Sequence, residues 1–169
     1  MTGMLHDLGK IMNLWGEPQW ATVGDTFVTG CKPSEKCVHF DSFEKNPDVK
    51  HEVYGTEYGI YEPNCGLDNL WLSWGHDEYM FHVLKENGCT IPKPGLDMIR
   101  YHSFYPWHSG HAYKHLTNEY DETVTRKWIE LFNKFDLYSK ADKFPDIDEI
   151  LPYYEGLLKK YNIDGKLRW

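Results

Sequence analysis

The sequence predicts an all-helical fold with one long irregular insertion after the first helix. Apolar residues recur at three- and four-residue spacing in five segments, the pattern of a helix with one buried face. Between the first and second of these, residues 17–66 lose the period and are broken by Pro18, Pro33, Pro47 and Pro63. At 169 residues, the chain suits a single domain, 1–169, with a real core, and is too short for two comfortable ones.

The first helix is expected from Met4 to Trp15, with Met4, Leu5, Leu8, Ile11, Met12 and Trp15 on one stripe and Gly16 as its stop. His6 and Lys10, four residues apart, would then lie one above the other. In the insertion, Val23-Gly24-Asp25-Thr26 reads as a turn between short extended pieces. A loop region this long inside a compact domain is often a lid or a pocket wall. Helical period returns at Leu67 and carries Leu70, Trp71, Trp74, Met80, Phe81 and Leu84 to a stop at Asn87-Gly88. A further run, Gly95 to Tyr105, holds Leu96, Ile99 and His102 and is stopped by Pro106. The next, Asp121 to Tyr138, places Val124, Trp128, Leu131, Phe132 and Phe135 inward. The last begins at Asp146 with Glu149 three residues on, as in a capping box. It runs past Ile150, Tyr154, Leu157 and Leu158 to Tyr161, and Pro152 fits only in its first turn.

Composition narrows the function classes. Net charge is −8 and no basic block stands out; a nucleic-acid backbone needs a basic stripe, so no such partner is expected. No apolar run approaches the roughly 20 residues that span a bilayer, so no membrane partner is expected either. Cys31, Cys37, Cys65 and Cys89 show no CxxC spacing and no secretory signal precedes them. They read as separate reduced thiols of a cytoplasmic protein. Aromatic residues make up 16% of the chain, enough for a dense core and an aromatic-walled pocket.

Metal-binding groups fall at four places on the predicted helices: His6-Asp7, His76-Asp77, His102 and Asp136. Imidazole with carboxylate suits iron, manganese or zinc, and a carboxylate is able to bridge two ions. A lone histidine carries little weight, and His39, His51, His82, His111 and His115 read as ordinary hydrogen-bonded residues. The four places differ in their company. His102 sits in Tyr101-His102-Ser103-Phe104-Tyr105, Asp136 interrupts Phe135-Asp136-Leu137, and His76 follows Trp74-Gly75. Burial among such neighbours without a partner costs on the order of several kcal/mol, and a shared metal relieves all of them at once. Asp77 points about 100° away from His76 on a helix and reads as a salt-bridge or supporting residue. His108 reads either as a supporting group or as the residue after a Pro-Trp corner.

The motifs go further. LHDLGK (5–10), GEPQWATVGDTF (16–27), SWGHDEYM (73–80), IRYHSFYPWH (99–108), FNKFDLYSK (132–140) and LPYYEGLLKKY (151–161) are long and rich in rare residues. The order His-Asp, His, His, Asp resembles the HD-domain superfamily. Together the six motifs resemble the myo-inositol oxygenase family over essentially the whole chain. The resemblance implies an HD-domain-like helical bundle and an oxidoreductase of inositol catabolism that cleaves myo-inositol with O2 to give D-glucuronate. It implies a cofactor of two iron ions in a mixed-valent Fe(II)/Fe(III) pair. His6, Asp7 and Asp136 resemble ligands of the first iron, with Asp7 bridging both, and His76 and His102 resemble ligands of the second. Lys10, Asp25, Ser103 and Lys140 match positions that hold the substrate hydroxyls not bound by the second iron, with Lys10 as a catalytic residue that positions a hydroxyl.

A polyol offers only donors and acceptors, so several fixed polar groups are what its site requires. The family also has an N-terminal portion ahead of the LHDLGK motif, which supplies one more histidine. The chain is therefore expected to be an N-terminally truncated member, and a monomer when that portion is present. Two other readings stay open. An HD phosphohydrolase uses the same ligand order, although phosphate recognition favours arginine forks and only Arg100, Arg126 and Arg168 occur. A non-catalytic metal-binding remnant is the other.

Overall fold

The computed structural model of the chain describes residues 1–136 and 144–169. Its architecture is all-α. The α-helices are α1 (Thr2–Leu5), α2 (Gln19–Val23), α3 (His76–Glu86), α4 (Lys93–Tyr101), α5 (Tyr105–His108), α6 (Arg126–Asp136) and α7 (Ile147–Lys160), joined by short 3-10 turns. The insertion holds α2 and 3-10 turns at Phe40–Lys45 and Pro47–Lys50. The short extended pieces expected there reduce to one isolated antiparallel bridge, Val28 with Leu72, among the described residues.

Two apolar clusters form the core. One gathers Val28, Leu67, Leu70, Tyr101, Phe104, Trp107, Leu116 and Ile129; the other gathers Leu5, Met80, Val83, Leu84, Ile91, Ile99 and Ile163. Helix α4 gives Tyr101 to the first and Ile99 to the second, so its C-terminal end is held from both sides. Arg100, on the same turn, makes a buried fork to Glu78 of α3 at 2.7 and 2.8 Å. Such bidentate pairs fix the register between two helices as well as joining them.

The predicted helices exist, but tertiary contacts cut and rotate them. The expected Met4–Trp15 helix is two pieces, α1 and a 3-10 segment Leu8–Trp15, with His6-Asp7 at the joint. The His6 ring nitrogen Nδ1 donates to the Gly3 carbonyl at 3.0 Å, competing with regular helix continuation. Gly9 then presses against α3, where a Cβ would lie 1.9 Å from the His76 carbonyl oxygen. Of the predicted stripe only Leu5 and Met12 are buried, while Met4, Leu8 and Trp15 are exposed.

The expected Leu67–Asn87 helix starts instead at His76. Ahead of it, residues 71–73 pair with residues 27–29: Thr29 N–H donates to Trp71 O at 2.9 Å and Ser73 N–H to Phe27 O at 2.8 Å. That pairing between distant segments takes the backbone groups a helix would have used. Trp71 and Trp74 consequently face solvent. The next helix ends at Tyr101, before the expected Tyr105, and Pro106 opens the separate turn α5 instead of stopping α4.

Helix α6 shows a shift of phase. A π-helical turn, Asp121–Thr125, precedes it and adds a residue to the turn. The inward face centres on Thr125, Ile129, Asn133 and Asp136, and of the predicted residues Phe132 does face inward, its ring 5.1 Å from that of His6. Trp128, Leu131 and Phe135 are exposed, contrary to expectation. Tyr138, placed at the end of this helix by sequence, lies outside the described residues. In α7, Asp146 caps through its side chain to Asp148 N–H, and Pro152 lies beyond the first turn. The predicted face of α7 is right, but no residue of that helix is fully buried.

Candidate metal centre

Four of the five predicted ligands sit at the ends of elements. His6 closes α1 and Asp7 follows it, His76 is the first residue of α3, and His102 caps the C-terminus of α4; Asp136 lies on α6. Helix ends meet at one place without the backbone crowding that helix middles impose. The Cβ-free Gly9 lets the 3-10 segment lie directly on the start of α3, bringing Asp7 beside His76.

Asp7 is the hub. Its Oδ2 lies 3.6 Å from His6 Nε2, and its Oδ1 lies 3.4 Å from His76 Nε2 and 3.8 Å from His102 Nε2. Asp136 Oδ1 approaches His6 Nε2 at 2.9 Å. His76 and His102 bring their Nε2 atoms to 3.1 Å of each other. His6 and His102 each tie Nδ1 to a backbone carbonyl three residues earlier, Gly3 at 3.0 Å and Ile99 at 2.9 Å. That bond fixes the ring and leaves Nε2 with its lone pair directed inward, the usual state of a metal-bound histidine. The ligand atoms of His6, Asp7 and His102 all fall within 4.8 Å of one another. The donor set therefore fits a transition metal, with imidazoles and carboxylates converging from four elements.

The electrostatics agree. His102 first, then Lys10 and His6, hold the Asp7 carboxyl far below the usual carboxylate range, against its burial. Burial and the nearby His102 push His76 down to about 4, so its ring is neutral. Burial also works against charge on His102, but Asp7 and then Asp77 carry its value upward. His108 is pushed down to about 4, chiefly by burial.

Beside these groups lies a cavity of about 300 Å³ lined by Lys10, Asp25, Ser103 and Tyr105 together with Asp7, His76, His102 and Asp136. Lys10 Nζ is 2.7 Å from Asp7 Oδ1; the tighter 3-10 winding sets it against Asp7, not above His6 as a regular helix would. Ser103 Oγ lies 3.4 Å from His76 Nε2. Asp25, whose pKa burial raises, stands where this cavity meets a larger one of about 780 Å³ walled by Trp20, Phe27 and Phe43. Lys140 lies outside the described residues.

Asp77 forms no ion pair among the described residues. It is wholly buried and accepts from the Thr26 hydroxyl and from Glu78 N–H. Tyr105 was not singled out by sequence reasoning, yet its phenol stands in the cavity wall near Asp136, Asp25 and Asp7, with no hydrogen bond to another described residue. The available signal was its place two residues after Ser103 in a motif already carrying two site residues.

The family model described as myo-inositol oxygenase matches residues 1–169 of this chain. The chain belongs to the myo-inositol oxygenase family. It is 54% identical over 170 residues to an inositol oxygenase of Danio rerio, and 51% identical over 170 residues to that of Homo sapiens. Inositol oxygenase 5 of Arabidopsis thaliana is 51% identical over 172 residues. Each alignment covers all of this chain but only 60%, 59% and 54% of the respective relative, so the chain spans little more than half the length of these myo-inositol oxygenases.

Proposed function

We propose that this chain carries the metal centre and much of the substrate site of an enzyme that opens the ring of myo-inositol with O2 to give D-glucuronate. The observation that carries the reading is the placement of Asp7, whose two oxygens face different histidines, Oδ2 toward His6 and Oδ1 toward His76 and His102. A carboxylate so placed suits a bridge between two ions. In this reading His6, Asp7 and Asp136 would hold one iron, and Asp7, His76 and His102 the other. When bound as a mixed-valent pair, the irons would supply O2 activation and lower the pKa of substrate hydroxyls.

The remaining work falls to the chain's own side chains. Lys10 presents an ammonium donor at the edge of the centre, Asp25 an acceptor at the cavity mouth, and Ser103 a hydroxyl beside His76. Lys140 would add a second ammonium. Donors and acceptors on several sides orient a ring whose rim is all hydroxyls, so that one carbon–carbon bond meets the metals. The overall reaction balances without an external reductant: one myo-inositol and one O2 give one D-glucuronic acid and one water.

A phosphohydrolase is disfavoured by the arginines. Arg100 is committed to Glu78, Arg126 to Glu122, and Arg168 to backbone at Glu86, and none lines the cavity. The test is iron analysis with oxygen uptake on the protein at its native length. Two irons per chain, inositol-dependent O2 consumption and D-glucuronate as product are expected. Phosphate release from nucleotides would replace the proposal with the hydrolase reading. Neither iron binding nor turnover would leave a non-catalytic remnant.

A further inference from the structure

His108 lies outside the set of ligands and substrate contacts, yet it is one of the most buried polar residues in the chain, 2% exposed. Its Nε2 is 3.0 Å from the backbone carbonyl of His102, and the Ser109 hydroxyl is 2.9 Å from its Nδ1. A carbonyl only accepts, so Nε2 bears the hydrogen, and the Ser109 hydroxyl must then donate to Nδ1. One tautomer satisfies both contacts.

The carbonyl that His108 reaches is not an ordinary one. His102 is the C-cap of α4, where carbonyls lose their intrahelical partners. His108 Nε2 supplies the missing donor at the residue whose ring faces Asp7. On its other side, the Asn133 amide lies 3.4 Å from the same nitrogen. Asn133 stands on the same inward face of α6 as Asp136, about one turn earlier. Arg126, the first residue of α6, adds two more ties to this turn through Nη1, to Trp107 O at 2.9 Å and His108 O at 3.1 Å.

The geometry points to His108 as a positioning residue, a strut that holds the His102 end of α4 and the Asn133–Asp136 stretch of α6 at one separation. It rests on the metal-centre reading above, and it adds that the spacing between ligands from different helices is set by a residue that touches neither metal nor substrate. Outer partners of this kind typically change metal affinity 10–100-fold when removed.

Two substitutions separate this role from packing. In His108→Gln the side-chain amide nitrogen falls where Nε2 stands, three bonds from Cβ; in His108→Asn it falls where Nδ1 stands and cannot reach the His102 carbonyl. Cobalt(II) added to the iron-free protein at native length is the probe, read by its visible ligand-field spectrum and by competition with a chelator. H108N is expected to bind cobalt(II) about 10–100-fold more weakly and to shift the spectrum. H108Q is expected to stay within a few-fold of wild type with an unchanged spectrum. Ile129→Val, which loosens the same core without touching the strut, supplies the control: lowered melting temperature, unchanged spectrum. Folded H108N with wild-type affinity and spectrum would overturn the proposal, and so would H108Q and H108N failing alike. Wild-type protein that binds no cobalt(II) would remove the metal-centre reading itself. Should H108N not fold, His108→Ser, which also lacks the reach, is compared with H108Q by the same criteria.

Discussion

His76 and His102 face each other with their Nε2 atoms 3.1 Å apart, both almost fully buried. Two ring nitrogens at that distance need something between or beside them, either a proton shared along the contact or a metal held by both lone pairs. The His76 Nδ1 atom is buried without a hydrogen-bond partner, so its ring has no local carbonyl to fix it. Of the three histidines, His76 therefore gains most from ligation.

The first prediction concerns metal and stability. Iron(II) or cobalt(II) at 100 times its dissociation constant should stabilise the fold by about 2.7 kcal/mol. For a chain of this size that is a rise of roughly 5–10 °C in melting temperature. Differential scanning calorimetry with and without chelator measures it, and His76→Ala should abolish the rise.

Tyr105 is predicted to contact substrate. Removing its hydroxyl in Tyr105→Phe deletes one neutral hydrogen bond, worth about 0.5–1.5 kcal/mol, so KM for inositol should rise several-fold. Metal content should be unchanged, because the convergent donors are supplied by His6, Asp7, His76, His102 and Asp136. Steady-state oxygen uptake and iron analysis check both halves.

The Glu78–Arg100 fork is predicted to be costly to break by halves. Both groups are buried, at 5% and 6% exposed. Arg100→Met leaves the buried Glu78 carboxylate with only the half-exposed His82 ring, at 3.1 Å, beside it and should cost about 3–5 kcal/mol. The double variant Glu78→Gln/Arg100→Met should recover part of that loss. Urea denaturation of the three proteins decides.

Asp77 gives a pH dependence of unusual sign. Burial raises its pKa from 3.8 to about 6, although the Thr26 hydroxyl works the other way. Between those values the folded chain holds a proton that the unfolded chain has released. The stability this group contributes is full below about pH 3.8 and is lost as pH rises through about 6. Asp77→Asn should therefore gain on wild type as pH rises from 5 to 8, by on the order of 1–3 kcal/mol. Denaturation midpoints across that range would show parallel curves if the carboxyl did not titrate there.

Legibility in the sequence followed the range of the forces involved. The grouping of His6, Asp7, His76, His102 and Asp136 was readable because residue type and aromatic company are local, and four separate elements do bring these residues together. The helix breaks were not, since each comes from a distant contact: Gly9 against His76, residues 71–73 against 27–29. The face of α6 was legible only in part: Phe132 packs on His6 as its place in the stripe suggests, while Phe135 turns outward and Asp136 faces His6. Tyr105 escaped notice because a tyrosine in an aromatic run reads as core until its hydroxyl is seen to face carboxylates.

The contact between Gly9 and His76 has a bearing on redesign. With hydrogen as the only side chain at position 9, the strip carrying Asp7 rides on the first peptide of α3 with no spacer between them. An alanine there would act as a shim, lifting the carboxylate off its histidines before any ligand had been altered. Attempts to reshape this centre for a bulkier ring should leave that seam alone and work from the opposite wall, where Val23 and Asp25 border open volume.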